Sequence, residues 1–187
     1  QAASVSNIVK KLGVAKGSFY RYFKDKTELF AFLVENVSKK WMSQLRDLLE
    51  VESTVFFDIV REYFRKRMIF DLEHPVKSIF LYNALRETNA PEIKTIIDDH
   101  KKEVLIFISS LVVVFQKKGE INSDISPEVA SHLIYQTQLG IYEYFSVFKG
   151  IDFRTIIKEK DSLPVSDKQL MEAADEMLDI VKSGLKS

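Results

Sequence analysis

Residues 4–29 read SVSNIVKKLGVAKGSFYRYFKDKTEL, and this stretch decides the fold. It holds two short helical patterns joined by a tight turn, with a third pattern starting at once. Ser4 is placed to cap the first helix by accepting from a backbone N–H two or three residues on. Val5, Ile8, Val9 and Leu12 recur at helical spacing and leave Lys10 and Lys11 for solvent. Gly13 follows the last apolar residue, where a helix end favours a residue tolerant of positive φ. Val14 is the expected apolar plug of the turn. Ala15 to Phe23 forms the second helix, with Phe19 and Phe23 four apart on a buried edge. Lys16, Gly17, Ser18, Tyr20 and Tyr22 fall on its other faces. A helical glycine costs roughly 1 kcal/mol against alanine, so Gly17 suits close approach by another molecule. Asp25 and Glu28 make an Asp-x-x-Glu capping box for the next helix. This is the layout of a helix-turn-helix, whose second helix enters the DNA major groove.

Charge divides along the chain. The first 40 residues carry eight basic and three acidic side chains, so a net total of zero divides into a basic start and an acidic remainder. Phosphate neutralisation dominates non-specific DNA affinity, and a local basic surface serves it. A solvated helical face also produces such an imbalance, which makes the charge supportive and not decisive.

The segment GVAKGSFYRYFKDKTEL resembles the DNA-binding signature of TetR-family transcriptional regulators. The ordering is specific: Gly-Val, small-Lys-Gly-Ser, aromatic-Tyr-x-Tyr-Phe, then Lys and an acidic cap. The resemblance covers about thirty residues. It implies that Lys16, Gly17, Ser18 and Tyr20 face bases or nearby sugar, and that Ser4, Tyr22 and Lys26 hold phosphates. It also implies a long linking helix and an all-helical ligand domain that dimerises. Two departures stand out. Ala15 occupies a position where the family often has Ser or Thr, so the recognition helix lacks a side-chain cap. The family's first helix, which closes the small core around Ile8, Phe19 and Phe23, is missing from this sequence, and a longer native protein is the expectation.

The 187 residues are 46% hydrophobic and 12% aromatic, with 14 Phe, ample for a sizeable core. Only 6 Gly and 4 Pro argue for long helices and few turns. The sequence has no Cys, which rules out disulfides and thiolate metal sites. The first residues do not read as a signal peptide, and the apolar run 104–115 is too short to span a bilayer. The expected compartment is the cytoplasm, with no membrane partner.

Helices are expected throughout. Thr27 to about Glu50 reads as one pattern, with Leu29, Phe32, Leu33, Val37, Trp41 and Leu45 near one stripe. Thr54 to about Leu72 follows, with Phe56, Ile59, Val60, Tyr63 and Phe64 at helical spacing. His74 and Pro75 end that element and open a shorter one over 76–88. Pro91 to Lys118 is long and apolar nearly all round in its second half, as in a helix at the centre of a bundle, with Gly119 as its cap. Ser126-Pro127-Glu128 starts a helix to about Lys149. Ile151 to Val165 is a mixed connection, and Ser166 to Leu185 a final amphipathic helix. The expected fold class is therefore all-α: an N-terminal helix-turn-helix DNA-binding domain over 1–46, running into a linking helix, and a larger helical ligand-binding and dimerisation domain over 47–187.

The helix from Ser126 shows two apolar sides, Val129, Leu133 and Tyr144 on one and Ile134, Ile141, Phe145 and Phe148 on the other. One side can pack within the protomer and the other on a second copy. The resemblance implies a homodimer with a four-helix interface from the last two long helices, for which Ile134, Ile141, Phe145, Met177 and Val181 are the candidates. Aromatic side chains mixed with a few polar groups suit a small-molecule cavity. The candidate ligand contacts are Phe64, Phe80, Asn83, His100, Phe107, Tyr135 and Tyr142; each aromatic among them reads first as ordinary core. His100 on its apolar stripe reads first as a hydrogen-bonded core histidine or an edge residue. The composition favours an apolar or aromatic effector.

No catalytic residues are expected. There is no Cys nucleophile, Gly-rich phosphate loop or Gly-x-Ser-x-Gly elbow. Pairs such as His100 with Glu103 and Glu128 with His132 have helical metal-ligand spacing, but single pairs recur by chance, and neither a metal nor another cofactor is expected. The expectation is a ligand-responsive regulator, a repressor, that binds double-stranded DNA as a dimer at a near-palindromic operator and is released by an effector. Two other classes share these features: a DNA-organising protein of the same build controlled by a protein partner, and a helical carrier of hydrophobic molecules.

Overall fold

The computed structural model describes residues 4–46, 55–85, 91–151 and 165–186. Its elements are α1 (Val5–Leu12), α2 (Lys16–Tyr20), α3 (Lys26–Arg46), α4 (Phe56–Glu73), α5 (Pro75–Leu85), α6 (Pro91–Lys117), α7 (Pro127–Phe148) and α8 (Asp167–Leu185). Among the described residues there is no strand, only an isolated bridge between Ile121 and Lys186.

Local chemistry sets the helix ends. The Ser4 side chain accepts from the Asn7 amide, and Gly13 closes α1 at φ 66. Asp25 Oδ1 accepts from the Glu28 amide at 2.9 Å, while the Glu28 carboxylate reaches back to the Lys24 amide at 2.5 Å. Ser126 caps α7 ahead of Pro127, and Ser166 with Gln169 forms a full capping box on α8. Val55 gives α4 no side-chain cap, and Glu120 from the turn after α6 accepts from the Phe56 amide instead.

Two apolar clusters organise the molecule. The larger joins α4, α6, α7 and α8 around Phe56, Phe64, Val112, Ile134 and Leu170. The smaller seats α3 on the body: Val34 and Val37 pack with Phe70, Leu81, Ala84, Leu85 and Ile97, and the rings of Phe30 and Phe80 lie 5.4 Å apart. Arg61 ties α4 to α8 through Asp175 at 2.6 Å.

Several expectations change. The second helix is shorter than Ala15–Phe23: helical bonding covers Lys16–Tyr20, and the chain then turns, with the Tyr22 and Phe23 amides both donating to the Phe19 carbonyl. Leu12 and Val14 are exposed, because no described residue covers that side of α1 and the turn. The second half of α6 is not central, since Ile106 and Val114 face outward. Burial also assigns the two sides of α7. Ile134, Ile141 and Phe145 are packed inside the protomer, as is Val181 on α8, while Met177 is half-buried. Val129 and Leu133 point out, and Phe148 does too. The side that faces the larger cluster carries the β-branched and aromatic residues that fill it. Residues 47–54, the end of the expected 76–88 helix beyond residue 85, residues 152–164 of the 151–165 connection, and the Trp41 and Leu45 side chains lie outside the described residues.

Candidate nucleic-acid interface and interior site

The N-terminal head presents its polar side chains outward. Ser4, Lys16, Gly17, Ser18, Tyr20, Tyr22 and Lys26 are all exposed. The Ser4 hydroxyl accepts from the Asn7 amide at 3.2 Å, so its cap role is already in use. Tyr20 and Tyr22 expose 51% and 71% of their surface, unusual for tyrosines unless another surface meets them. Phe19 holds the group from below: it is buried, 5.4 Å edge-on to Tyr20 and 5.6 Å from Phe23, which in turn packs on Phe32 of α3. Thus the second turn of α3 holds the chain that leaves α2. Nothing lies within 4 Å of where a Gly17 side chain would project. The open face fits close approach by another molecule.

The body contains an enclosed site between α4, α5, α6 and α7. Tyr63, Arg67, Tyr82, Leu85, His100, Val104, Tyr135, Gln138, Leu139 and Tyr142 line a space of about 20 Å³. Tyr63 donates to Gln138 Oε1 at 2.5 Å. Arg67 is buried and pairs with Asp71 at 3.0 Å; Asp71 also accepts from the Ser78 hydroxyl. Asp71 is fully buried, and burial raises its pKa against the opposing pull of Arg67 and Ser78. Burial, with smaller pushes from Arg67 and Lys101, lowers His100 to about 4, so the ring is neutral near pH 7. Burial raises Tyr135 to about 12. His100 Nδ1 and the Tyr135 hydroxyl are buried without a hydrogen-bond partner.

Of the expected ligand contacts, the site gathers His100, Tyr135 and Tyr142. Phe64 is fully buried in the larger cluster, Phe80 packs against the α3 seat, Phe107 is a half-buried neighbour of the larger cluster, and Asn83 is exposed. Sequence reading missed Arg67. Its signal was present: Arg67 lies four residues after Tyr63 and four before Asp71, an ion pair set on an otherwise apolar helix face. No group of three or more potential metal ligands gathers among the described residues, and no described helix is long and apolar enough to cross a membrane.

The chain thus joins an exposed helix-turn-helix, carried on a long helix, to an all-helical body with an interior polar site. Comparison with known proteins matches a family profile at the N-terminus. Residues 1–33 match the profile of bacterial regulatory proteins of the tetR family. An uncharacterised HTH-type transcriptional regulator of Bacillus subtilis (strain 168), YvdT, is 43% identical over 47 residues, a match spanning 25% of this chain and 24% of that protein. Among solved structures, the transcriptional regulator FadR from Bacillus subtilis in complex with stearoyl-CoA aligns at TM-score 0.74 and 19% identity, over 97% of this chain and 88% of that one. The ketosteroid transcriptional regulator KstR2 of Mycobacterium tuberculosis aligns at TM-score 0.63 and 17% identity, over 100% and 86%. At these identities the solved structures establish the fold. The tetR-family match is confined to the N-terminal residues 1–33, and the chain spans about a quarter of the curated relative it matches.

Proposed function

We propose that the protein is a ligand-responsive transcriptional repressor that binds a near-palindromic operator as a homodimer. The observation that carries this reading is the shared footing of head and interior site. Leu85 lines the site and also belongs to the cluster that seats α3. Leu139 lines the site and touches both clusters. Arg67 and Phe70 lie one turn apart on α4, as do Ile97 and His100 on α6, one residue of each pair facing the site and the other facing α3. An effector that widens the site shifts α4, α5 and α6, and α3 with them. A ligand displaces this balance only through unequal affinity for the two arrangements.

In this reading Lys16, Gly17, Ser18 and Tyr20 meet base edges or sugar, and Ser4, Tyr22 and Lys26 meet phosphate. The head and linking helix occupy 1–46 and the effector and dimer domain 47–187. The dimer surface we assign differs from the buried candidates. Val129, Leu133, Gly140, Tyr144 and Val147 recur at helical steps on the open side of α7, and Met177 and Ile180 do so on the adjoining α8. Ile180 exposes 75% of its surface and Phe148 74%. A two-fold axis there sets two recognition helices at matched half-sites.

Selection of bound fragments from random duplexes tests the reading. Tyr20→Ala or Lys26→Ala is expected to weaken binding to the selected operator about tenfold, with the oligomeric state unchanged. Unaltered affinity in both variants counts against it. The small volume of the interior site favours a second reading, a DNA-binding protein of this build governed by a protein partner. Two buried polar atoms without partners argue instead for an interior occupant, since leaving such groups unmet costs about 1–3 kcal/mol each.

A further inference from the structure

The interior site has a one-sided chemistry. Among the described residues Arg67 is the only charged one in its lining, and no Asp or Glu lines it. Asp71 holds the guanidinium from outside that lining, on the next turn of α4. The amide oxygen of Gln138 already accepts from Tyr63. The Tyr135 hydroxyl and His100 Nδ1, on side chains 5% and 7% exposed, meet nothing. The site therefore offers the Arg67 guanidinium, held by Asp71 from outside the lining, and a hydroxyl and a ring nitrogen able to donate, while the Gln138 amide oxygen already accepts from Tyr63. A cationic ligand is opposed by Arg67. A lone hydroxyl satisfies one unpartnered group and leaves the others. A planar group with two acceptor oxygens and negative charge satisfies them together.

We propose that this site binds the carboxylate head of a small organic acid, with the Tyr135 hydroxyl and His100 Nδ1–H donating to its two oxygens and Arg67 supplying the countercharge. This rests on the reading of the body as an effector domain and names the effector's chemical class. His100 stays neutral in its buried setting, and the anion selects the tautomer that carries hydrogen on Nδ1. Space is the second argument. About 20 Å³ takes a head group of one or two water-sized units and no tail. Tyr82 and Leu139 are the half-buried members of the lining, while the rest are buried. Tyr82 stands 5.7 Å from Tyr142, ring to ring. An apolar tail trailing from the head displaces Tyr82 and Leu139, and Leu139 bridges to the cluster beneath α3. The tail thus supplies the work that the head alone does not.

The test is calorimetric titration of the purified protein with octanoate and phenylacetate, each against its matched alcohol. At least one acid is expected to bind about tenfold or more tighter than its alcohol. Tyr135→Phe removes a single oxygen and keeps the ring; it is expected to weaken binding of that acid about tenfold while leaving the alcohol unchanged. His100→Leu is expected to do the same. The inference is overturned if each alcohol matches its acid, if neither acid binds, or if a folded Tyr135→Phe protein, checked by its melting curve, binds the acid as well as the parent. Operator binding is measured in parallel. Operator bound by the parent and lost in Tyr20→Ala, with no preference for acids, sinks the effector class alone. No operator binding by the parent sinks the regulator reading itself.

Discussion

The head and the body of this molecule are built on opposite economies of burial. Between residues 4 and 23 only Val9 and Phe19 are buried, and polar and aromatic side chains crowd the surface. In the body, α4 alone buries ten residues, and two of them, Arg67 and Asp71, are charged. The head keeps its chemistry outside on a core of two buried residues, so each of them matters greatly for local order. The body hides polar chemistry in a dense core, where each polar group is costly unless it is matched. The proposed function assigns partner reading to the exposed surface and effector sensing to the interior.

Removing one side of the buried pair stresses the contrast most. Arg67→Met leaves Asp71 buried without its cation and is expected to cost about 3–5 kcal/mol of global stability by denaturant unfolding. The double variant Arg67→Met, Asp71→Leu is expected to recover much of it. Recovery failing in the double variant breaks the view that pairing, not packing, sets this cost. In the head, Phe19→Ala is expected to remove about 3 kcal/mol, yet locally. Amide exchange should accelerate over residues 4–23 while the body's melting temperature holds. A matching fall in the body's melting temperature makes the two regions one cooperative unit.

Acid distinguishes them next. The unfolded chain binds a proton at His100 below about 6.5, whereas the folded chain binds one only near 4. The unfolded state therefore carries more protons in that window, and stability falls as pH drops from 6.5 toward 4, by about 2–3 kcal/mol. Asp71, raised by burial, works in the opposite direction, so the slope lost in His100→Leu isolates the histidine. An unchanged slope in that variant places the acid sensitivity elsewhere. The smallest effect belongs to the turn of the head. Gly13 sits at φ 66, and Gly13→Ala is expected to cost about 1 kcal/mol, read as faster exchange in α1.

The head was legible in the sequence because its rules are local. Ser4 to Asn7, Gly13 closing α1, and Asp25 to Glu28 act over three or four residues, and each recurs in the structure. The ends of α6, α7 and α8 were legible for the same reason, through Pro91, Gly119, Ser126-Pro127 and Ser166. Composition and periodicity reached less far into the body. Apolar residues surround α6 and α7 on more than one side, and periodicity does not say which side a neighbouring helix will cover. Phe64 and Tyr135 look alike along the chain, yet one fills the core and the other lines the interior site.

The amino-acid order alone settled the helical class, the helix-turn-helix and the tips it shows to solvent, since caps and turns close within a single helical turn. Only the assembled helices settled that Ile134, Ile141 and Phe145 face inward, and that Tyr63, Arg67, His100 and Tyr135 meet around one small space. These residues come from three helices up to 72 positions apart in the sequence. Burial is a property of what lies opposite a side chain, and that is fixed by packing between distant segments.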